Sequence, residues 1–226
     1  MIRENIETVR ENIRKAAERA GRTPEDILLI GVTKTKPVEM MQQAIDKGIT
    51  DIGENRVQEI MEKYEHIKGE PKWHLIGHLQ TNKVKYIIDK VDLIHSVESI
   101  SLAEEINKRA EKIGKVQKVL LEVNVSGEES KFGISPENIM EFCEKIAEFK
   151  NIRVSGLMTV APFTEDEGIL RKVFSDLRKI SLDISTKFYD TIYMEELSMG
   201  MTNDYEIAIE EGATMVRVGT GIFGNR

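Results

Sequence analysis

The stretch ILLIGVTKTKPVEMMQQAIDKGITDIGEN (residues 27–55) contains the pattern that decides the fold. A short apolar run ends at Pro37, a longer segment follows with apolar residues three and four positions apart, and a second apolar run begins after Gly48. This spacing predicts a helix between two strands, and Gly48 stands where a helix end favours a left-handed residue. Such a unit is typical of parallel strands that are joined by a crossover helix.

The same alternation continues along the chain, in which eight short apolar runs can be counted. Several of them show almost no polar alternation, as expected of parallel strands that are covered on both faces. The runs are 27–34, 50–55, 73–79, 93–99, 118–126, 152–160, 194–200 and 215–223. Segments of helical period separate them, at 37–48, 56–67, 82–91, 101–114, 134–149, 166–185 and 203–212. Apolar residues at helical spacing over residues 2–20 predict one further helix at the N-terminus.

Eight strands that alternate with helices predict an α/β fold, a (β/α)8 TIM barrel with an extra N-terminal helix. An open doubly wound sheet is the alternative, but no dinucleotide-binding glycine fingerprint follows the first strand. The chain has only five prolines and no low-complexity segment, so the sequence indicates no linker. We therefore expect residues 1–226 to form a single domain.

The composition excludes several classes of protein. The net charge of −7, from 32 basic and 39 acidic residues, provides no overall cationic field for nucleic acid or an anionic membrane. The charged N-terminal segment lacks the continuous apolar stretch of a signal peptide or a membrane span. Cys143 is the single cysteine, so we expect no disulfide framework, and the four histidines predict no metal site. These features favour a cytoplasmic protein.

Two glycine-containing strand ends predict a phosphate-binding site. In barrels the functional residues lie where the strands end, and a phosphate site often follows strands 7 and 8. The segment RVGTG supplies Arg217, Gly219 and Thr220, and LSMGM supplies Ser198 and Gly200. Glycines let backbone N–H groups approach an oxyanion, while the hydroxyl and the guanidinium add hydrogen bonds and charge. The alternative is that the glycines only permit tight turns and that Arg217 pairs with an acid.

The two lysines of GVTKTKP predict a reactive amine at the end of the first strand. Residues separated by one position project to the same side of a strand, so Lys34 and Lys36 are expected to repel each other and to lose a proton more easily. A deprotonated lysine attacks aldehydes and forms a Schiff base. The alternative is a pair of solvated lysines. An amine and a phosphate site on one face of a barrel are what pyridoxal 5′-phosphate (PLP) requires.

Seven separated segments carry a resemblance that extends nearly from end to end. They are GVTKTKP (31–37), GENRVQE (53–59), WHLIGHLQTNK (73–83), SKFGI (130–134), GLMTV (156–160), LSMGMTNDYEIAIEEG (197–212) and TMVRVGTGIFG (214–224). In this order they resemble the pyridoxal phosphate homeostasis protein family. The resemblance implies a PLP-binding barrel, similar to the N-terminal domain of alanine racemase and to other fold-type III enzymes. It also implies intracellular storage, buffering or delivery of PLP, without established catalytic turnover.

The resemblance assigns roles to individual residues. It makes Lys34 the expected Schiff-base residue and Lys36 a nearby auxiliary amine. Asn55 and Met158 match motifs that line the cofactor site. The phosphate-binding segments are matched by Ser198, Gly200, Arg217, Gly219 and Thr220. Arg56 departs from the family, in which an aromatic residue is common at this position.

Two other functions stay open on the sequence. One is a PLP-dependent amino acid racemase. Alanine racemase uses a second, β-rich domain and a tyrosine from a partner subunit as its other base, and this sequence, with five tyrosines, shows no extra segment for such a domain. The other is a phosphosugar-processing barrel that uses the same phosphate site and Lys34 without PLP. For the carrier we expect PLP-dependent apo-enzymes as recipients, no nucleic-acid or membrane partner, and a monomer rather than an oligomer.

Overall fold

The computed structural model describes residues 1–128 and 132–224, and within them eight parallel strands close into a barrel in chain order. The strands are β1 (Leu28–Val32), β2 (Asp51–Glu54), β3 (Lys72–Leu75), β4 (Leu93–Val97), β5 (Gln117–Glu122), β6 (Ile152–Met158), β7 (Ile192–Met201) and β8 (Met215–Val218). Strand β1 pairs with β2 on one side and with β8 on the other, which closes the barrel. The predicted barrel is therefore confirmed. Residues 130 and 131 of the segment SKFGI, and the last two residues of the expected domain, lie outside the described residues.

Helices surround the barrel, one of them preceding the first strand. The α-helices are α1 (Ile2–Arg19), α2 (Val38–Asp46), α3 (Val57–Lys63), α4 (Ile100–Lys112), α5 (Ile139–Ile146), α6 (Glu167–Ser185), α7 (Tyr205–Glu210) and α8 (Thr220–Phe223). Short 3-10 helices cover Pro24–Asp26, Tyr64–His66, Thr81–Tyr86 and Pro136–Asn138. Gly48, Gly114 and Gly212 follow helix ends with positive φ angles, as their positions in the sequence predict.

The extra helix α1 packs along one side of the barrel, against α7 and α8. Its apolar stripe includes Ile6, Val9 and Ile13, all of which are buried. Burial of each such side chain contributes about 1.5–3 kcal/mol. Asn5 Nδ2 donates a 2.8 Å hydrogen bond to Ile222 O, so α1 also fixes the short helix that follows the last strand.

Two segments differ from their predicted structures. The sequence predicts an α-helix over residues 82–91, but these residues form part of the 3-10 helix Thr81–Tyr86 and a turn that follows it. Lys115 Nζ donates hydrogen bonds to the carbonyl oxygens of Ile88 and Val91 in this turn. The sequence predicts a strand over the apolar run 215–223, but the strand β8 ends at Val218 and the run then continues into α8. The chain turns back so closely there that a Cβ atom on Gly221 would lie 2.9 Å from Val218 Cγ1.

An apolar cluster lies in the barrel interior. Its buried side chains are Ile30, Leu93, Leu120, Met158 and Met215. They come from alternating positions of different strands, which is how a barrel of this size fills its interior. A larger apolar layer separates the barrel from its helices. Residues 1–128 and 132–224 include no helix that is long and apolar enough to cross a membrane.

Cys143 lies fully buried on α5. Burial raises the pKa of its thiol to about 12, because the thiolate would lose its hydration. We expect no modification of Cys143 by iodoacetamide at pH 8 in the native protein, and one label per chain after unfolding in guanidinium chloride. Intact mass measurement before and after unfolding checks this, and rapid native labelling would place the thiol at the surface.

Candidate functional site

A cavity of about 450 Å³ lies at the end of the barrel where the strands terminate. Its size is within the range of small-molecule pockets. Its polar lining consists of Lys34, Asn55, Thr164, Thr202, Asn203, Asp204, Arg217 and Thr220. Gly219 and apolar residues such as Val32, Ile76 and Phe163 complete the wall. We call this space the mouth cavity.

The structure brings part of the sequence-predicted site together in the mouth cavity. Lys34, Asn55, Arg217, Gly219 and Thr220 line it. Three other predicted residues lie behind the wall. Met158 is packed in the barrel interior, Ser198 is fully buried beside Arg217, and Gly200 lies against α7. A Cβ atom on Gly200 would lie 2.6 Å from Ala208 Cβ, so this glycine allows close packing of strand and helix.

The turn after β1 places the two lysines differently from the strand alternation assumed in the sequence analysis. Strand β1 ends at Val32, and Thr35 has a φ of 62°. Lys34 lines the mouth cavity, whereas Lys36 Nζ donates to Gly224 O at 2.9 Å. The assumption that both lysines project from one face of a strand is therefore wrong, because neither belongs to a strand. Both still line a small recess of about 50 Å³ next to Gly219 and Thr220.

A hydroxyl that the sequence analysis missed lies beside the glycine turn. Thr202 Oγ1 accepts hydrogen bonds from Gly219 N and Gly221 N, each at 3.3 Å. The side chain thus joins the end of β7 to the turn after β8. The run predicted at 194–200 stops one residue before the observed end of β7 at Met201. With the correct end, the rule that functional residues directly follow barrel strands would have indicated Thr202.

Arg217 forms the buried floor of the mouth cavity. It is 3% exposed, and its Nη1 and Nη2 atoms donate to Ser198 Oγ at 2.5 Å and to Thr159 O at 2.9 Å. Burial lowers the pKa of the guanidinium to about 10, while the carboxylates of Asp204 and Glu122 oppose this shift. Arg217 therefore stays positively charged at neutral pH.

Glu122 is a second buried ionisable group near the floor. Burial and, to a smaller extent, the charge of Glu98 raise its pKa to about 7, although the charge of Arg217 acts in the opposite direction. At neutral pH the Glu122 carboxyl therefore carries less negative charge than an exposed carboxyl would. The charge of the floor is consequently dominated by Arg217.

A chain of hydrogen bonds runs from Arg217 across the barrel interior. The successive contacts are Ser198 Oγ to His95 Nδ1, His95 Nε2 to His74 Nδ1, and His74 Nε2 to Asp51 Oδ1, each 2.9 Å long. We call these five residues the interior chain. Burial disfavours ionisation of Asp51, but bonds from His74 and Thr50 outweigh it and hold its pKa below the usual value.

The two ends of the interior chain have fixed roles, because Arg217 can only donate and ionised Asp51 can only accept. Burial, together with the charges of His74 and Arg217, holds the pKa of His95 well below its usual value. Ionised Asp51 accepts from His74 Nε2, and a hydrogen bond joins His74 Nδ1 to His95 Nε2. A further hydrogen bond joins His95 Nδ1 to Ser198 Oγ, which accepts from Arg217. Sequence analysis could not find this chain, because its members are far apart in sequence and follow no motif.

A more open groove of about 840 Å³ lies beside the mouth cavity. Asn55 lines both spaces. We call it the outer groove, and Lys36, Arg56, Glu59, Glu62, Lys63, His78 and Lys83 are among its lining residues. Arg56 therefore faces this groove and does not line the mouth cavity. The aromatic residue that the sequence comparison expects there would likewise lie outside the mouth cavity.

Comparisons with known proteins identify the family of the chain. The sequence model of the family "Alanine racemase, N-terminal domain" matches residues 5–226. The chain is 48% identical over 224 residues to the Pyridoxal phosphate homeostasis protein of Aquifex aeolicus, with 99% of this chain and 97% of the relative covered.

Solved structures show the same barrel. PipY of Synechococcus elongatus, determined with PLP bound, has a TM-score of 0.87 and 30% identity, with 99% of this chain and 100% of PipY covered. An alanine racemase of Clostridium difficile has a TM-score of 0.80 at 18% identity, which shows a shared fold. The match covers all of this chain but only 56% of that racemase.

Proposed function

The chain belongs to the pyridoxal phosphate homeostasis protein family, within the alanine racemase N-terminal domain family, and from this premise we propose that it binds PLP in the mouth cavity. The observation that carries the proposal is the shared cavity, in which Lys34 faces a glycine turn with hydroxyl groups and a buried cation. We propose that the protein stores, buffers or delivers the cofactor in the cytoplasm. PLP-dependent apo-enzymes are the proposed recipients.

The residues of the mouth cavity suit the chemical groups of PLP. When bound, the cofactor supplies an aldehyde carbon that forms a C=N bond with a primary amine and releases one water molecule. We assign the amine to Lys34, which lines the mouth cavity. Lys36 is the proposed auxiliary amine, because it shares the small recess with Lys34.

We assign the phosphate to the turn after β8. Gly219 and Thr220 line both the mouth cavity and the small recess, and Thr202 fixes the turn through its two hydrogen bonds. Backbone N–H groups and hydroxyls are the usual donors to a bound phosphate. Arg217 supplies positive charge from the floor, and Ser198 orients its guanidinium.

The cavity favours a carrier over a racemase. A two-base racemase needs a second base opposite the lysine, and none of the five tyrosines is among the described lining residues. The acidic side chain in the lining is Asp204, whose Oδ1 atom is used by Met201 N at 2.5 Å. We therefore propose binding without turnover of amino acids. Incubation of the holoprotein with L-alanine and measurement of D-alanine tests this directly.

Borohydride reduction tests the proposed site. The protein is incubated with PLP, reduced, digested and mapped by mass spectrometry, and the pyridoxyl group is expected on Lys34. Label on Lys36 alone would move the covalent role to that residue. Absence of label on both would overturn PLP attachment and favour a phosphosugar ligand.

Replacement of Thr202 by valine is expected to weaken phosphate binding. The variant keeps the side-chain shape but loses the oxygen that accepts from Gly219 N and Gly221 N. We expect the affinity for pyridoxamine 5′-phosphate to fall about tenfold, because the turn loses two neutral hydrogen bonds of about 0.5–1.5 kcal/mol each. Isothermal titration calorimetry measures the loss. Thr186→Val, at the exposed end of α6, is the control, and equal affinities for Thr202→Val and wild type would contradict the assignment.

A further inference from the structure

The turn that carries Lys34 is held on both sides by side chains of α3. Lys63 Nζ donates to the carbonyl oxygen of Thr33 at 3.0 Å. Glu59 Oε2 accepts from the backbone N–H of Thr35 at 2.7 Å. These two bonds fix the peptide groups immediately before and after Lys34.

The conformation that they fix is unfavourable for the local sequence. Thr35 has a φ of 62°, in the left-handed region, and it is the single non-glycine residue with positive φ among residues 1–128 and 132–224. A β-branched side chain is disfavoured in this region, because Cβ crowds the backbone. Such a conformation persists only where surrounding contacts determine it. The local sequence alone would therefore not keep Lys34 in its present orientation.

A buried ionic cluster provides these contacts. Lys63 is 7% exposed, and its three N–H donors are used by Thr33 O, by Glu54 Oε1 at 2.8 Å and by Glu59 Oε2 at 2.7 Å. Glu54 is fully buried and also accepts from Thr33 Oγ1 at 2.6 Å. The ammonium thus links β2, α3 and the end of β1 at one point.

We propose that Glu54, Glu59 and Lys63 form a clamp that holds the turn Thr33–Lys36 and thereby orients Lys34 into the mouth cavity. This inference rests on the proposed function, in which Lys34 binds the PLP aldehyde. The clamp residues are positioning residues, since none of them lines the mouth cavity. Their effect on the cofactor therefore passes through the backbone on either side of Lys34.

The clamp predicts a selective loss of covalent binding. Bond formation between an amine and an aldehyde requires close approach and correct orientation, whereas the phosphate is held by residues after β7 and β8. Pyridoxamine 5′-phosphate has the same phosphate and ring but no aldehyde, so it reports the noncovalent part of the binding alone. Loss of the clamp should weaken PLP binding and leave pyridoxamine 5′-phosphate binding nearly unchanged.

Two variants remove the clamp in different ways. Glu59→Ala deletes the acceptor of Thr35 N while Lys63 keeps its bond to Glu54. The double variant Lys63→Met/Glu54→Gln removes the two most buried charges together and leaves Glu59, which is less buried, with its bond to Thr35 N. Glu62→Ala is the matched control, because Glu62 is exposed on the same helix and lines the same outer groove.

A rescue variant separates positioning from general damage. Glycine adopts positive φ without steric cost, so Thr35→Gly should restore the turn when the clamp is weakened. We expect Glu59→Ala to lower the apparent PLP affinity about tenfold, which is the scale of the left-handed penalty for a non-glycine residue. Adding Thr35→Gly to Glu59→Ala should recover most of this loss. Visible absorbance of the covalent complex measures PLP binding, and calorimetry measures pyridoxamine 5′-phosphate binding.

The outcomes distinguish this inference from the proposed function. Selective loss of PLP binding in both clamp variants, with rescue by Thr35→Gly, supports the clamp. Equal loss for both ligands, or PLP binding at the wild-type level, overturns it. If the wild-type protein acquires no borohydride-fixed label on Lys34, the proposed function itself fails and the clamp's role in it fails too.

Discussion

We expect Lys34→Ala to abolish the borohydride-stable attachment of PLP and to lower the affinity of the protein for PLP on the order of a hundredfold. The reason is that the variant cannot form the covalent bond that the preorganised cavity favours. The mouth cavity keeps Gly219, Thr220 and Arg217 in this variant, so noncovalent binding of the phosphate ester should remain. The visible absorption of the C=N complex should disappear, and the affinity for pyridoxamine 5′-phosphate should change by less than about threefold. Absorption spectra and calorimetry measure the two effects separately.

A matched lysine variant makes this result interpretable. Lys83→Ala removes one positive charge from the same end of the barrel, but Lys83 lines the outer groove and not the mouth cavity. We expect Lys83→Ala to bind and retain PLP as the wild type does. An unchanged spectrum in Lys34→Ala would contradict the assignment and direct attention to Lys36.

Gly156→Ala is expected to have the largest effect on stability. Gly156 lies in β6 at a point where the pairing register shifts towards both β5 and β7, and its φ is 155°. A Cβ atom there would lie 1.9 Å from Glu196 O, which is backbone and cannot rotate away. We expect the free energy of unfolding to fall by more than about 4 kcal/mol, beyond the usual effect of overpacking. For a chain of this length that corresponds to a decrease in Tm of about 10 °C or more.

A second glycine variant separates the steric clash from backbone strain. Gly69 has a φ of 90°, and a Cβ atom added there would meet no heavy atom within 4 Å. We expect Gly69→Ala to cost about 1–2 kcal/mol, the penalty of a left-handed alanine. Urea unfolding followed by circular dichroism measures both variants. Equal losses at the two positions would show that contact with Glu196 is not decisive.

The fold was predictable because its signal repeats. Most units of the barrel contain an apolar run and a helix of regular period, and some have a glycine at the helix end, so the error at residues 82–91 does not change the count of strands. The ends of the strands were less predictable. β1 ends two residues before Lys34, and β7 extends to Met201. Tertiary contacts at the mouth of the barrel determine where each strand ends, and such contacts leave no local pattern in the sequence.

The site was predictable only where a motif marks it. Lys34, Gly219 and Thr220 lie in short segments with recognisable chemistry, and the structure places them in one cavity. The roles of His74 and His95 depend on contacts between β3 and β4, and no spacing in the sequence encodes them. The same holds for the clamp, whose ammonium on α3 reaches a carbonyl 30 residues earlier in the chain.

The interior chain has a consequence for the evolution of this barrel. Arg217 at one end can only donate and ionised Asp51 at the other end can only accept, so a substitution that changes the role of a residue between them leaves two donors or two acceptors facing each other. The fitness effect of a change at His95 therefore depends on which side chain occupies position 74. Such coupled positions are epistatic, and neutral drift can pass through them only by paired replacements. Homologous barrels should accordingly exchange these residues in sets, while the surrounding apolar positions vary one at a time.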